Sequence, residues 1–315
     1  QGMTARQAES MTISGIRIEL SNTGKLLFDD PEITKGDLVR YYRDMAGRIL
    51  PYLRDRPLVM ARYPDGISGE RIFQKNIPGY FPSWISRVEV EKAGGELCQV
   101  ICDKPATLVY LANQACIELH AFLSKTGELE CPDQLVFDLD PPGEDRFGDV
   151  ALLALRLREL LEDELKLTAY VKTTGGKGLH VHLPLRASDD FDAARRFARQ
   201  ASQVLAARNP DLLTTQQRRA GRGDRVYADV MRNAYAQTVV APYSVRARPG
   251  AHVATPLWWE ELADRELTPR RFTLRSIGDR LEWLGTSDPW AGLGRRRYGL
   301  NRAARRLEQV AATAR

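Results

Sequence analysis

Apolar positions recur at helical spacing in the stretch 37–53, where Leu38, Tyr41, Tyr42, Met45 and Ile49 fall on one stripe. Thr34 followed three residues later by Asp37 offers a capping box, so the spacing predicts a first helix over 37–53. A second helix is expected over 106–123, entered through Pro105. Residues 134–140, QLVFDLD, form a short β-rich run stopped by Pro141-Pro142, which reads as a buried strand ending at a sheet edge. An amphipathic helix is predicted over 150–165. Strands over 168–173 and 179–185 flank the turn Thr174-Gly175-Gly176-Lys177-Gly178. A helix over 190–208 follows, then a polar, arginine-rich connection and strands near 226–230 and 237–241. Strands and helices alternate irregularly, so the expected class is α+β with a mixed sheet rather than a strict βαβ array.

Composition narrows the class without naming a chemistry. The 315 residues are 43% hydrophobic and 28% charged, enough to bury a substantial core in one large domain or two small ones. No internal repeat, low-complexity tract or Gly/Ser linker divides the chain, no apolar run reaches membrane-spanning length, and no signal peptide opens it. Four cysteines without CxxC spacing and four histidines that form no ligand cluster with them argue against a zinc site or a disulfide framework. A reduced, cytoplasmic compartment fits better. Lys plus Arg exceed Asp plus Glu by 46 to 41, a mild lean toward a polyanionic partner. Arginine concentrates between Gln216 and Arg232 and in the tail 295–315. The opening Gln1-Gly2-Met3 reads as a cloning remnant, so residues 1–15 are expected to be disordered or non-native and the chain to be an excised domain.

Four constellations carry candidate chemistry. Asp138 and Asp140 stand two apart at the end of an apolar strand, so both carboxylates project from one face. Like charges held that close suit a shared divalent cation, although the pair also suits the capping of a turn before the prolines. Asp229 lies inside the strand-like run VYADV, where an acid needs a partner; it is a third ligand if its strand neighbours 134–140, and otherwise an outward position on an edge strand. The run 172–182, KTTGGKGLHVH, couples glycines that let backbone amides approach an anion with donors from Lys172, Lys177 and His180. It is neither a P-loop nor a dinucleotide fingerprint, and a plain glycine hairpin accounts for it equally well. His180 is nearer the turn; His182 on the same face serves equally as a core histidine. In YSVRAR, residues 243–248, Arg246 and Arg248 share a face if the segment is a strand, where they could clamp a triphosphate or be solvated at an edge.

Taken in order, these elements resemble the motifs of archaeo-eukaryotic primases, and more closely the polymerase domain of bacterial DNA ligase D, a non-homologous end-joining enzyme. The words GKLLF at 24–28, TKGDLVRYY at 34–42, RPLVMARYPDG at 56–66 and APYSVRARPGAHVATPLWWEEL at 241–262 carry the closer match. The resemblance spans about Ile16 to Trp290. It implies a single catalytic domain over 16–300 with a primase-like α+β fold, mixed and antiparallel sheets around an RRM-like catalytic sheet, and helices on the flanks. Residues 301–315 are then a basic helix or tail leading out of the domain.

The resemblance also implies chemistry. Asp138, Asp140 and Asp229 match ligands of two divalent ions, manganese preferred and magnesium possible, in template-directed addition of NTPs or dNTPs to a primer 3′-hydroxyl. Thr174, Lys177, His180 and Arg246 match triphosphate contacts, and His120, placed at the end of the second helix, matches a nucleotide-pocket histidine. Phe73 matches an aromatic that stacks on the templating base. The position before it is Ile72 rather than a second aromatic, which implies a smaller platform. Lys25 and Lys35 match a pair that reads the 5′-phosphate of a gap. Arg218, Arg219, Arg222 and Arg225 resemble a mobile DNA-binding loop. The implied partners are duplex DNA with gaps or 3′ overhangs, ligase and nuclease domains of a parent chain, and a Ku-type end-binding protein, in a bacterial, nucleoid-associated setting without a membrane. An initiating primase and a non-catalytic end-binding module are the alternatives. No KxDG nucleotidyl-lysine motif occurs, so strand sealing is not expected from these residues.

Overall fold

Thr34 closes a hairpin and opens a helix. Its hydroxyl accepts from the Asp37 amide at 3.1 Å, while the Asp37 carboxylate accepts from the Thr34 amide at 2.8 Å, the reciprocal capping the sequence predicts. The computed structural model describes residues 9–313, and the backbone clusters into two units where the sequence reads as one domain over 16–300. The first unit holds residues up to 121 together with 243–251; the second holds 122–242 and the chain from 252.

In the first unit the order is β1 (Glu9–Ile13), β2 (Ile16–Leu20), β3 (Leu26–Asp29), β4 (Glu32–Thr34), α1 (Lys35–Asp44), α2 (Ala46–Leu53), β5 (Pro57–Arg62), β6 (Ile72–Gln74), β7 (Arg87–Lys92), β8 (Gly95–Ile101), α3 (Pro105–Asn113) and β9 (Cys116–Phe122). β9, β5, β8 and β7 form an antiparallel run, with β6 also on β5. Three expectations are corrected here. Residues 9–13 are not disordered, since β1 pairs with β2; residues 1–8 lie outside the described part. The first helix is two, α1 and α2, meeting at Met45. The helix expected over 106–123 ends at Asn113, because Ala115 takes a left-handed φ of 55° and the chain reverses into β9. Ile117, Leu119 and Ala121 alternate with Glu118 and His120, a strand period that pairing with β5 realises.

The second unit follows with β10 (Gln134–Asp140), α4 (Phe147–Arg158), β11 (Tyr170–Thr173), β12 (Leu179–Pro184), α5 (Phe191–Arg208), β13 (Leu213–Thr214), β14 (Val226–Asp229), β15 (Thr238–Val240), β16 (Pro256–Leu257), α6 (Ile277–Leu284) and α7 (Leu300–Thr313). Its sheet runs β13-β14-β10-β12-β11-β16, antiparallel except for β13 with β14. Alternation divides that sheet cleanly. Leu135, Phe137, Leu139, Val171, Leu179, Val181, Val226 and Ala228 join one buried core with Val150, Leu153 and Leu157 of α4 and Ala194, Phe197 and Ala201 of α5. Each large side chain so buried contributes about 1.5–3 kcal/mol. The C-terminal helix packs on the domain as well: Leu300, Ala303 and Leu307 of α7 belong to this same core.

Candidate active site

The face of that sheet opposite the core carries the polar residues. In the antiparallel register Lys172 of β11 stands opposite His180 of β12, His180 opposite Asp138 of β10, and Asp138 opposite Asp229 of β14. Directly paired residues share a face, so these four form one row across four strands, and Asp140, two residues along β10, joins it. His180 Nε2 lies 3.4 Å from an Asp138 oxygen, and Lys172 is fully buried. The neighbouring-strand condition on Asp229 is thus met. Asp229 also accepts from the Met231 amide at 2.8 Å. Burial, with Asp138 and Asp229 adding to it, pushes the Asp140 carboxyl up to about 7, and burial raises Asp229 as well. His182 bonds Gln134 at 2.8 Å and packs on Trp290, which makes it a core histidine.

The glycine turn closes over the end of this row. A Cβ on Gly178 would stand 2.0 Å from the Leu139 carbonyl oxygen, so only glycine lets the turn lie on β10 between its two acids. The Thr174 hydroxyl accepts from the Gly176 and Gly178 amides and donates to the Gly178 carbonyl, all within 3.3 Å, so it shapes the turn from inside. Within this turn Lys177 alone is exposed. Arg270, which the sequence did not single out, donates to the Gly176 carbonyl at 3.0 Å and pairs with Glu144 at 2.7 Å. Arg222 stacks on Tyr227, 3.7 Å from the ring centroid, and Tyr227 stands opposite Asp140. Arg222 and Arg225 spend their guanidinium groups on backbone carbonyls of their own loop, while Arg218 and Arg219 face solvent.

A second constellation occupies the first unit. His120 is on a strand, not a helix end, and its Nε2 lies 2.8 Å from Glu118. The YSVRAR segment is a turn rather than a strand, with Tyr243 at φ 63°, so Arg246 and Arg248 do not share a strand face. Hydroxyls hold it: Tyr41 donates to the Tyr243 carbonyl at 2.7 Å, Ser244 accepts from the Leu119 amide at 2.9 Å, and Tyr42 accepts from the Val245 amide at 3.1 Å. Arg246 bonds Glu118 at 3.0 Å. Phe73 packs edge-on against His120, with Arg71 over its ring at 4.7 Å; Ile72 and Phe73 are both about two-fifths exposed. Glu118 escapes a sequence reading that takes β9 as helix, where an acid is an ordinary surface charge.

Lys25 and Lys35 come together through β3 and β4, the Lys35 amide donating to the Lys25 carbonyl at 2.8 Å. Lys35 is the first residue of α1, buried, with Nζ 3.1 Å from Ser21 Oγ; burial and the nearby Lys25 lower its pKa. Lys25 pairs with Asp65 at 2.7 Å.

Residues 34–290 match the family described as "LigD, primase-polymerase domain". The chain belongs to that family. Among proteins similar to it are the bifunctional non-homologous end joining protein LigD of Bacillus subtilis, 31% identical over 85% of this chain and 43% of that one, and the multifunctional LigD of Pseudomonas aeruginosa, 33% identical over 95% and 35%. The chain therefore spans well under half the length of these relatives. The polymerase domain of Mycobacterium tuberculosis ligase D, solved in complex with DNA, superposes with a TM-score of 0.82 at 30% identity, over 90% of this chain and 99% of that one. The LigD polymerase fold thus accounts for the primase-like α+β architecture. Among the described residues no helix is long and apolar enough to cross a membrane.

The divalent cations the family implies meet a mixed fit. Three carboxylates on one face are hard oxygen donors, and burial, with Asp138 and Asp229 adding to it, makes the charged form of Asp140 costly. No three His, Cys, Asp or Glu side chains among the described residues are already drawn into a metal cage. The donor chemistry fits, and a closed cage is not preformed.

Proposed function

We propose that the chain is a template-directed nucleotidyltransferase that adds an NTP or dNTP to a primer 3′-hydroxyl at DNA gaps and broken ends. The observation that supports it most is the row Lys172, His180, Asp138, Asp229, with Asp140 on the same face and the Gly178 turn closed over its end. The 3′-oxygen attacks the α-phosphorus, the bond to the bridging oxygen of the β-phosphate breaks, and pyrophosphate departs as the hydroxyl proton is lost to solvent. Two divalent cations, manganese or magnesium, held by Asp138, Asp140 and Asp229 would supply Lewis acidity at the phosphates and the attacking oxygen. No side-chain nucleophile is required, so the chain's part is positioning and charge complementarity. In the second unit Lys177 and His180 offer donors to a triphosphate; in the first, Arg246 offers a guanidinium to a nucleotide. Thr174 holds the turn that presents Lys177; in the first unit His120 would contact the nucleotide, and Phe73 offers a flat ring to the templating base.

Lys25 and Lys35 gather positive charge at the first turn of α1, a setting for a DNA 5′-phosphate. Arg218 and Arg219, exposed on the loop that Arg222 and Arg225 brace, would meet DNA backbone. Within a longer parent protein this activity would supply filled ends to a ligase domain, beside a nuclease domain and a Ku-type partner. The test is extension of a labelled primer across a short gap with manganese, by wild type and Asp138→Ala, with each NTP and dNTP. Templated addition by wild type alone supports the reading. Absence of addition with equal gap binding by both proteins would make the chain an end-binding module.

A further inference from the structure

We propose that Glu118 is a positioning residue that fixes the guanidinium of Arg246 and selects the tautomer of His120. The inference rests on reading Arg246 and His120 as nucleotide contacts and names what orients them. Glu118 lies on β9, 5% exposed, held by pairing with Ala61 of β5, while His120 pairs with Val59 on the same face. One carboxylate oxygen accepts from Arg246 Nε at 3.0 Å and from the Ala247 amide at 2.9 Å. The other is 2.8 Å from His120 Nε2. One buried acid therefore ties a strand histidine to a turn arginine.

The geometry has directional consequences. Glu118 grips Arg246 through Nε, so the guanidinium is anchored at the nitrogen nearest its stem. The bond to Ala247 fixes the backbone after Arg246, while Ser244 and Val245 before it are fixed by Leu119 and Tyr42, so the arginine has a pinned root on both sides. For His120 the argument is one of proton count. His120, Arg246 and the Ala247 amide hold the Glu118 carboxyl far below the usual carboxylate range despite its burial, so it is ionised and can only accept. Nε2 must then be the donor. Burial, helped by Arg246 and Arg71, keeps the His120 pKa below the ordinary histidine value, so the ring is neutral near pH 7 and Nδ1 carries a lone pair. An acceptor at Nδ1 suits a hydroxyl or amine of the ligand and repels a phosphate oxygen. Phe73, edge-on to His120 at 5.6 Å, shares this orientation.

A structural acid that only offsets Arg246 would leave these features untouched, and that separates the two roles. Imidazole ¹⁵N NMR of the wild-type chain, with His120 assigned through His120→Gln, is expected to show the Nε2–H tautomer and to lose it in Glu118→Gln. A wild-type ring protonated at Nδ1 would overturn the proposal whether or not the variant folds. In primer extension with manganese, Glu118→Gln is expected to raise the nucleotide KM about tenfold while kcat changes less than about threefold. In an Arg246→Ala background the same substitution should add less than about twofold, because the group it acts through is gone. Full additivity, or an unchanged KM and tautomer in a folded Glu118→Gln protein, would overturn it. If Arg246→Ala leaves the nucleotide KM unaltered, the nucleotide role of Arg246 fails instead, and the His120 tautomer still decides what Glu118 does.

Discussion

Glu118 and Asp140 are both strand carboxylates withdrawn from solvent, yet they hold their protons in opposite ways. Glu118 meets an arginine, a histidine and an amide, and its proton affinity falls well below normal. Asp140 is raised to about 7 first by burial and then by Asp138 and Asp229 on its own face, with arginines only at a distance. The difference separates two uses of a buried acid. A carboxylate supplied with its own counter-charges orients its neighbours; carboxylates that crowd one another keep a demand for positive charge that a ligand can meet.

Replacement of Asp138, Asp140 or Asp229 by Ala is the harshest way to probe that contrast. Each is expected to lower nucleotide addition by at least about 10³-fold, a loss comparable with removal of a major electrostatic contributor. The metal-free fold should be no less stable, since repulsion is relieved, and a melt beside the extension assay checks both halves. Glu118→Ala should do the reverse to stability. Removing one partner of a buried pair costs about 3–5 kcal/mol, which denaturant unfolding would register.

Acidification gives a further handle, with the sign opposite in the two regions. Glu118 and His120 both have folded pKa values below their unfolded ones, so the unfolded chain takes up protons first. Their contribution to stability is lost as pH falls, beginning near 6.5 for His120 and near 4.5 for Glu118. Asp140 has a raised folded pKa, so without cations its contribution is present at low pH and lost as pH rises toward about 7. Unfolding measured against pH should show Glu118→Gln flattening the acid limb and Asp140→Asn flattening the neutral one. A smaller effect, about tenfold, is expected at the lysines: Lys25→Ala with Lys35→Ala should erase the preference for a 5′-phosphorylated gap and spare simple primer extension. Persistence of that preference would break the assignment.

The second unit was the more legible in sequence. Its strand 134–140 matches in full, its glycine hairpin matches closely, and alternation alone put Asp138 and Asp140 on one face. Register was not legible, so only the structure sets Asp229 opposite Asp138. In the first unit, residues 114–116 carry no Gly or Pro to mark the reversal after α3, and helical spacing ran on through β9. The alternation of Ile117, Leu119 and Ala121 with Glu118 and His120 was the available signal. The turn at Tyr243 was hidden for a different reason: it is held by hydroxyls from Tyr41 and Tyr42, some two hundred residues away in sequence, and no local pattern announces such contacts.

The most direct measurement is primer extension across a 5′-phosphorylated gap by wild type and Asp229→Ala, with manganese, alongside a melt of each protein. The account predicts templated addition by wild type, none by the variant, and a variant fold at least as stable without cations. Addition retained by a folded Asp229→Ala protein would contradict it, because the three acids on one face would then not be the centre at which the phosphodiester bond is made.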